Sequence, residues 1–519
     1  MNLRKSFYLT GNFVIYFGLF LLAPLIFYFF LDSGHKAFFD NDNLLQAAPF
    51  FASSLVTLIC GYGLRTISHN PEAMSKDLTR KDGFLLASLV WILAGVFGSL
   101  PYIFSSLNLY GFISSSFEPI FQANIFTNSF FEAVSGITTT GASVLTPFPD
   151  VVEQHKLLIA WRSLTQWLGG IGIILLVLIV FPRISVGVMQ IASDQEGTGP
   201  QRERMTPRIY QTGLILFYIY MALTLLLASL LYFVGDMSLY DSIVHTFSTV
   251  STGGFSSYPI SIQYLNNVTV EVIIAVFIFL SGTSFAIYYF LITGNYKKIL
   301  ENSEFKAYIL LNTFLISFIV FLLYKYYDFS SLSDCFRFGS FQALSLSTGT
   351  GFTSFNFNEW SNHAKIVLLA VMVLGGCSGS TTGGIKIMRV LIVFKRIYIE
   401  IKRRISPNVI STVKINGKAL DDELVSGVFS FLFLYVLIIV ISALLLLVFE
   451  SNVTSLSALS ASISSITNVG PGFEQINPSS NYSFFSGQSK ILLSFLMLFG
   501  RLELFTMIAL LIPSFWRKY

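Results

Sequence analysis

The sequence predicts an all-α polytopic membrane protein: four helix–re-entrant pore loop–helix repeats around a central pore, preceded by two extra N-terminal transmembrane helices. Three observations predict it. The 519-residue chain is 54% hydrophobic and 12% charged, against about 25% charged in an ordinary soluble domain, so it lacks the polar side chains to cover a globule in water. Apolar runs of membrane length recur along it. Between pairs of such runs lie four short stretches rich in Ser and Thr, each with a glycine near its end. Weakly hydrophobic turns between membrane-length helices, four times over, are the layout of an ion pore built by internal repetition.

Taken in order, the apolar runs give ten candidate spans: 11–31, 47–67, 84–106, 158–181, 209–234, 268–293, 305–325, 364–394, 424–449 and 489–516. The first is uncharged and too long for the roughly 7–15-residue core of a cleaved signal, so it reads as a retained helix. Residues 1–70 supply two helices without a re-entrant loop. Residues 75–182, 205–295, 303–400 and 420–519 supply the four repeats, the third carrying an intramembrane gate loop. Within the repeats, short apolar runs such as 130–137 and 457–466 cannot span and read as half-helices that enter and leave on one side. Non-helical backbone at that depth must be buried in protein or line a water-filled cavity.

Orientation follows from Lys and Arg. One side collects 24 of the 32 basic residues, including nine between Lys386 and Lys418. The other holds Lys36, Lys156, Arg162, Lys325, Arg337, Lys365 and Lys490. The basic side is therefore cytoplasmic, with both termini, and the four loops open outward. Three cysteines form no CxxC, and five scattered histidines offer no ligand spacing, so neither a disulfide framework nor a thiolate or histidine metal centre is suggested. No tightly bound cofactor, nucleic-acid partner or enzymatic activity is expected. A membrane enzyme would need His, Asp or Glu clustered at one depth.

Aligned on their glycines, the loops read Thr138-Thr139-Thr140-Gly141, Val250-Ser251-Thr252-Gly253, Thr348-Gly349-Thr350-Gly351 and Thr467-Asn468-Val469-Gly470. A pore that strips water from a cation must replace it with oxygens, and backbone carbonyls of an extended loop do so. Glycine permits the φ values that turn successive carbonyls inward. Hydroxyls can add oxygens or tie the loop to its half-helix, whose negative dipole end points toward the ion. None of the twelve residues preceding the glycines is acidic, which favours a monovalent cation over a divalent one. One such glycine could belong to any tight turn; four in register point to a selectivity filter for a monovalent cation.

These loops, with Asn468-Val469-Gly470-Pro471-Gly472 in the last repeat and Gly500-Arg501-Leu502-Glu503 in the last helix, resemble those of the Trk/Ktr/HKT potassium transporter family. The resemblance runs from about Asp82 to the C-terminus, and the two extra N-terminal helices make it more similar to TrkH-type members. It implies potassium uptake through the bacterial cytoplasmic membrane and a homodimer with one pore per subunit. It also implies a cytoplasmic ring of nucleotide-binding, TrkA-like regulatory subunits. In that family, serine at the first loop's glycine accompanies sodium selectivity in plant members, and Gly141 therefore supports potassium. Two departures, Gly349 where Thr or Ser is usual and Gly282-Thr283-Ser284-Phe285 for Gly-Met-Asn-Phe, leave the degree of selectivity open. A sodium or poorly selective monovalent cation channel is the alternative. A secondary transporter with inverted repeats fits less well, because the four units keep one orientation.

The eighth run is interrupted by Gly375-Gly376-Cys377-Ser378-Gly379-Ser380-Thr381-Thr382-Gly383-Gly384. Glycine costs about 1 kcal/mol per helical position relative to alanine, so five of them break the helix. A phosphate-binding P-loop is excluded by Ile385 and Lys386 at its Lys and Ser/Thr positions. The stretch reads as a flexible loop under the filter that obstructs the pore and moves to open it, as the family's gate does. The bland reading is a kink for helix packing. Lys386 and Arg389, just beyond, are candidates for coupling it to a partner. Arg501 lies near mid-membrane, where a buried Arg needs a cavity or partner. It reads as an electrostatic barrier below the filter, as a support for the gate loop's carbonyls, or as a packed Arg satisfied by helix ends. Glu132 reads as either a cation attractor at the mouth or a structural group. The basic stretch 395–404 reads as a solvated extension, or as a docking site for a regulator or anionic lipid.

Overall fold

The structure, a computed structural model, describes residues 1–26, 41–71, 75, 78–107, 120–121, 123–145, 155–180, 205–327, 329, 331–406 and 412–517. Helices α1 (Leu3–Phe20) and α2 (Asn41–Ser68) pack side by side at the N-terminus. Four successions of long helix, short buried helix, turn and outer helix follow. The first comprises α3 (Arg80–Gly98), its continuation α4 (Leu100–Ser106), the half-helix α5 (Ile125–Ile137) and α6 (Lys156–Val180). The second comprises α7 (Met205–Phe233), half-helix α8 (Leu239–Val250), α9 (Val268–Ser281) and α10 (Phe285–Ile292). A short α11 (Tyr296–Glu301) leads to the third: α12 (Ser303–Tyr326), half-helix α13 (Leu332–Ser347), α14 (Asn362–Val371) and α15 (Ile387–Ile405). A hairpin of β1 (Lys414–Ile415) and β2 (Lys418–Ala419), pairing Lys414 with Ala419, precedes the fourth. That last succession is α16 (Asp422–Phe449), half-helix α17 (Ser455–Thr467), α18 (Gly487–Arg501) and α19 (Phe505–Leu511), with a final turn α20 (Pro513–Trp516).

Local chemistry starts these elements. Thr79 and Asp82 form a capping box at α3: the Thr79 amide donates to Asp82 Oδ2 at 2.8 Å and the Asp82 amide to Thr79 Oγ1 at 3.3 Å. The other oxygen of Asp82 accepts the Asn2 amide at 2.6 Å, fastening the start of α1 to α3. Three half-helices open on a hydroxyl cap, with Ser238, Ser331 and Thr454 accepting the amides of Asp241, Asp334 and Ser457. The half-helices are rich in Ser and Thr yet buried, whereas Leu225 and Phe233 on α7, Leu310 and Phe314 on α12, and Phe433 and Leu444 on α16 are exposed. This inside-out distribution is what an apolar solvent around a polar core produces.

Among the described residues, six helices are long and apolar enough to cross a membrane, or eight if each bent pair counts as one span. Ten runs were expected; the fourth, 158–181, lies partly outside the described residues, and three others differ for physical reasons. The eighth run is no single span: α14 covers ten residues before the glycine loop, and α15 beyond it is rich in Lys and Arg. The sixth and tenth runs also break, bending by 92° between α9 and α10 and by 119° between α18 and α19. Averaged over a span-length window each bent pair still reads as one apolar segment, so the average does not reveal the bends. The first bend frees the Gly282 carbonyl to accept the Cys377 amide at 2.9 Å. The second carries Glu503 and Leu504 at φ 54° and 30°. The first span begins at Leu3, earlier than residue 11, and its expected end at 27–31 lies outside the described residues.

Close backbone approach joins α1 to α2: a Cβ on Gly61 would lie 2.8 Å from the Ile15 amide nitrogen, whereas one on Gly63 would meet nothing within 4 Å. Gly61→Val is therefore expected to destabilise by about 1–3 kcal/mol through overpacking, lowering the thermal midpoint in detergent, while Gly63→Val leaves it nearly unchanged.

Candidate functional site

Each half-helix ends in the same turn. The hydroxyls of Thr138, Ser251, Thr348 and Thr467 donate to the carbonyls four residues earlier, those of Val134, Phe247, Leu344 and Ile463, all at 2.7–2.8 Å. The next residue is left-handed in every case: Thr139 at φ 54°, Thr252 at 54°, Gly349 at 72° and Asn468 at 56°. The amides of Thr140, Gly253, Thr350 and Val469 then fold back onto the carbonyls of Ser135, Ser248, Ser345 and Ser464 at 2.7–3.0 Å. A left-handed glycine follows: Gly141 at φ 81°, Gly254 at 75°, Gly351 at 79° and Gly470 at 102°.

This equivalence corrects the alignment of the second loop by one residue. Gly254, not Gly253, matches Gly141, and the turn is Ser251-Thr252-Gly253-Gly254. Val250 closes the half-helix, its carbonyl accepting Thr381 Oγ1 at 3.1 Å. Two adjacent glycines hid the register. A serine six residues before each glycine (Ser135, Ser248, Ser345 and Ser464) carries it in the sequence. The same geometry accounts for Gly349. It occupies the position that Thr139, Thr252 and Asn468 fill in a left-handed conformation, which glycine adopts without the penalty of about 1–2 kcal/mol borne by other residues.

The four turns close into one ring. A Cβ on Gly141 would lie 2.2 Å from the Gly253 oxygen, one on Gly254 1.9 Å from Thr350 O, one on Gly351 1.9 Å from Val469 O, and one on Gly470 2.7 Å from Thr140 O. Each glycine thus faces the carbonyl of the next turn, and the last returns to the first. All four glycines line a single cavity, with Arg162 and Tyr258 on its wall.

On the other side of the ring sits the glycine loop. Its ends are joined by backbone bonds from the Gly375 amide to Ile385 O (2.9 Å) and from the Ile385 amide to Val373 O (3.1 Å). Ser380 Oγ donates to Cys377 O at 2.6 Å and meets Thr382 Oγ1 at 2.9 Å. The Gly376 amide donates to the same Thr382 oxygen at 3.0 Å, and the Gly379 carbonyl accepts the Phe285 amide at 3.1 Å. A Cβ on Gly383 would come 2.2 Å from Thr467 O, and one on Gly384 2.7 Å from Leu374 O, so the loop lies directly against the fourth turn. Arg501, 2% exposed, donates to Thr381 O at 2.8 Å and to Gly169 O at 3.1 Å. Arg501 thus bonds one carbonyl of the loop and one of α6. The loop is tied on several sides and does not hang free.

Other expectations change. Lys386 and Arg389 do not face outward: Lys386 Nζ donates to Thr382 O and Oγ1, and Arg389 pairs with Glu503 at 2.5 Å and stacks 4.0 Å over Phe431. Glu132 is fully buried, paired with Arg162 at 2.7 Å and accepting the Val144 amide at 3.0 Å, so it is structural and does not gather cations. Sequence reasoning missed Glu304, whose Oε1 accepts the Ser378 amide at 2.6 Å and the Met388 amide at 3.2 Å, bracketing the glycine loop. It also missed Gln166, whose Nε2 donates to the Gly253 carbonyl at 2.6 Å. The available signal was a polar residue inside or at the edge of an apolar run.

The four turns thus present a ring of neutral carbonyl oxygens, backed by a glycine loop that a buried arginine contacts. The whole chain is similar to known proteins. The family model described as TrkH, cation transport protein, matches residues 48–518. The Trk system potassium uptake protein TrkH of Vibrio parahaemolyticus is 33% identical over 524 residues, covering 100% of both chains. The protein of the same name in Escherichia coli K12 is 32% identical over 523 residues, again covering 100% of both. The crystal structure of the potassium transporter TrkH from Vibrio parahaemolyticus matches with a TM-score of 0.84 at 30% identity over 100% of both chains. The chain belongs to the TrkH family of cation transport proteins.

The turn geometry separates two positions. Gly349→Thr is expected to fold and transport at near the parent rate despite about 1–2 kcal/mol of backbone strain, since its Cβ would lie no closer than 3.4 Å to Asn468 O and Thr139 and Thr252 hold the same left-handed position. Gly351→Thr, whose Cβ would collide with Val469 O, is expected to abolish transport, as rubidium uptake into proteoliposomes would report.

Proposed function

We propose that this chain takes up potassium across the bacterial cytoplasmic membrane, through an axial path whose selective part is the ring of residues 138–141, 251–254, 348–351 and 467–470. The observation that carries the reading is the ring itself, four turns with one hydrogen-bond pattern meeting glycine to carbonyl in cyclic order. Membership of a cation transport family whose relatives are named for potassium uptake supports the choice of ion. In this reading, neutral oxygens replace the water around a monovalent ion, and the hydroxyl ties at the half-helix ends keep the oxygens from collapsing onto a smaller one. Gly349 no longer favours the poorly selective alternative, because it relieves backbone strain at a position already left-handed in the other turns.

In the same proposal the glycine loop 375–384 is the gate. Resting against the fourth turn, it obstructs the path, and the Arg501 bond to Thr381 holds it while placing a positive charge beneath the ring. Opening then requires Thr381 to leave both Arg501 and the Val250 carbonyl. A homodimer, cytoplasmic termini and TrkA-like nucleotide-binding subunits on the basic face complete the proposal. The basic α15, exposed mainly over its second half and continuing from the loop, supports it as a docking element for a regulator or anionic lipid.

Two outcomes test this. The chain is expected to rescue a potassium-uptake-deficient bacterium at low external potassium, and Gly141→Ser, which opens the ring by pushing the Gly253 carbonyl aside without adding a β-branch, to shift preference toward sodium; an unaltered preference would count against the ring as filter. Arg501→Ala is expected to raise resting potassium flux by roughly ten- to a hundredfold, the equivalent of losing a charge-assisted hydrogen bond, measured as rubidium uptake without a regulator.

A further inference from the structure

Two polar side chains of α6 meet the seam between the first and second turns. Gln166 is fully buried, and its Nε2 donates to the Gly253 carbonyl at 2.6 Å while its Oε1 accepts the Phe255 amide at 3.2 Å. It therefore spans Gly254 and grips the second turn on both sides of its left-handed glycine. Arg162 lies one helical turn earlier on the same face. Its Nη2 donates to Ser143 Oγ at 3.1 Å, its Nη1 to Ser256 O at 3.4 Å, and its guanidinium stacks 4.0 Å over Phe255. Its Nε pairs with Glu132, which in turn accepts the Val144 amide. One helix face thus holds the residues following both glycines.

The gripped oxygen belongs to the ring. Gly253 O is the carbonyl that a Cβ on Gly141 would approach to 2.2 Å. The matching carbonyls of Thr140, Thr350 and Val469 lie against their neighbouring glycines with no such amide beside them among the described residues. An oxygen held by a buried amide cannot swing toward a small ion, because doing so would break that bond and leave the amide unpaired. A smaller cation needs shorter oxygen distances than a larger one, so a fixed oxygen disfavours it.

We propose that Gln166 is a selectivity-determining positioning residue, which fixes the Gly253 carbonyl and, with Arg162, the gap between the first two turns. This rests on the reading of the ring as the filter. The test is the reversal potential of the reconstituted full chain under opposed potassium and sodium gradients, for Gln166→Leu, Arg162→Lys and Gly141→Ser. Gln166→Leu keeps the volume and removes both bonds. It is expected to lower the potassium-to-sodium permeability ratio about three- to tenfold, the equivalent of one lost hydrogen bond. Arg162→Lys retains a cation for Glu132 but loses the fork, and is expected to shift the ratio in the same direction by a smaller factor. A merely structural role would reduce yield and leave the ratio of the folded fraction alone. If Gln166→Leu does not fold, Arg162→Lys decides. Parent ratios in the folded variants, alongside a changed ratio in Gly141→Ser, would overturn the proposal and leave the filter standing. A parent ratio in all three would overturn both.

Discussion

The constraint on which the rest of this structure depends is steric: four glycines pass within reach of four carbonyls, each from the next turn. A Cβ at any of Gly141, Gly254, Gly351 or Gly470 would lie 1.9–2.7 Å from an oxygen, so no other residue fits without opening the ring. That closeness demands that each turn arrive at a fixed height, which the hydroxyl ties at Thr138, Ser251, Thr348 and Thr467 and the returning amide bonds supply. The left-handed residue within each turn makes the chain reverse sharply enough to leave the half-helix and run outward. Polar half-helices are buried for the same reason, and the apolar residues displaced from the centre face lipid.

Beneath the ring, the chain gathers charge instead of excluding it. Arg501, Lys386, Arg389, Glu304 and Glu503 all lie within the packed region around the glycine loop, and each touches the loop or a neighbour of it. Buried charges are costly unless hydrogen-bonded or paired, and here carbonyls and amides of the loop serve as partners. The loop's conformation and the satisfaction of these charges are therefore one problem. Moving the loop removes the Thr381 carbonyl from Arg501 and the Ser378 amide from Glu304, while Gly169 O and the Met388 amide stay in place. The hairpin is tied to this region too, since Asn416 Oδ1 accepts the Ser303 amide at 2.8 Å, one residue before Glu304.

Much of this was legible in the sequence. Glycine, serine and threonine between apolar runs exposed the turns, and five glycines in one run exposed the broken helix, because these residues report backbone needs that are local. What escaped has a tertiary cause. The second turn's register was ambiguous while only Gly253 and Gly254 were considered, and became clear from the amide bond to Ser248. The bends after Ser281 and Arg501 escape a span-length average of hydropathy, because the apolar residues on either side outweigh the few polar ones at the break. The reach of Gln166 and the inward facing of Arg389 depend on which helices become neighbours, and spacing along one chain does not encode that.

The central claim is that the four turns form one ion site on a common axis. Crystallographic anomalous scattering from the protein grown in rubidium tests it most directly. The account predicts anomalous peaks on the axis enclosed by Gly141, Gly254, Gly351 and Gly470. Rubidium bound elsewhere, with none on that axis, would contradict it.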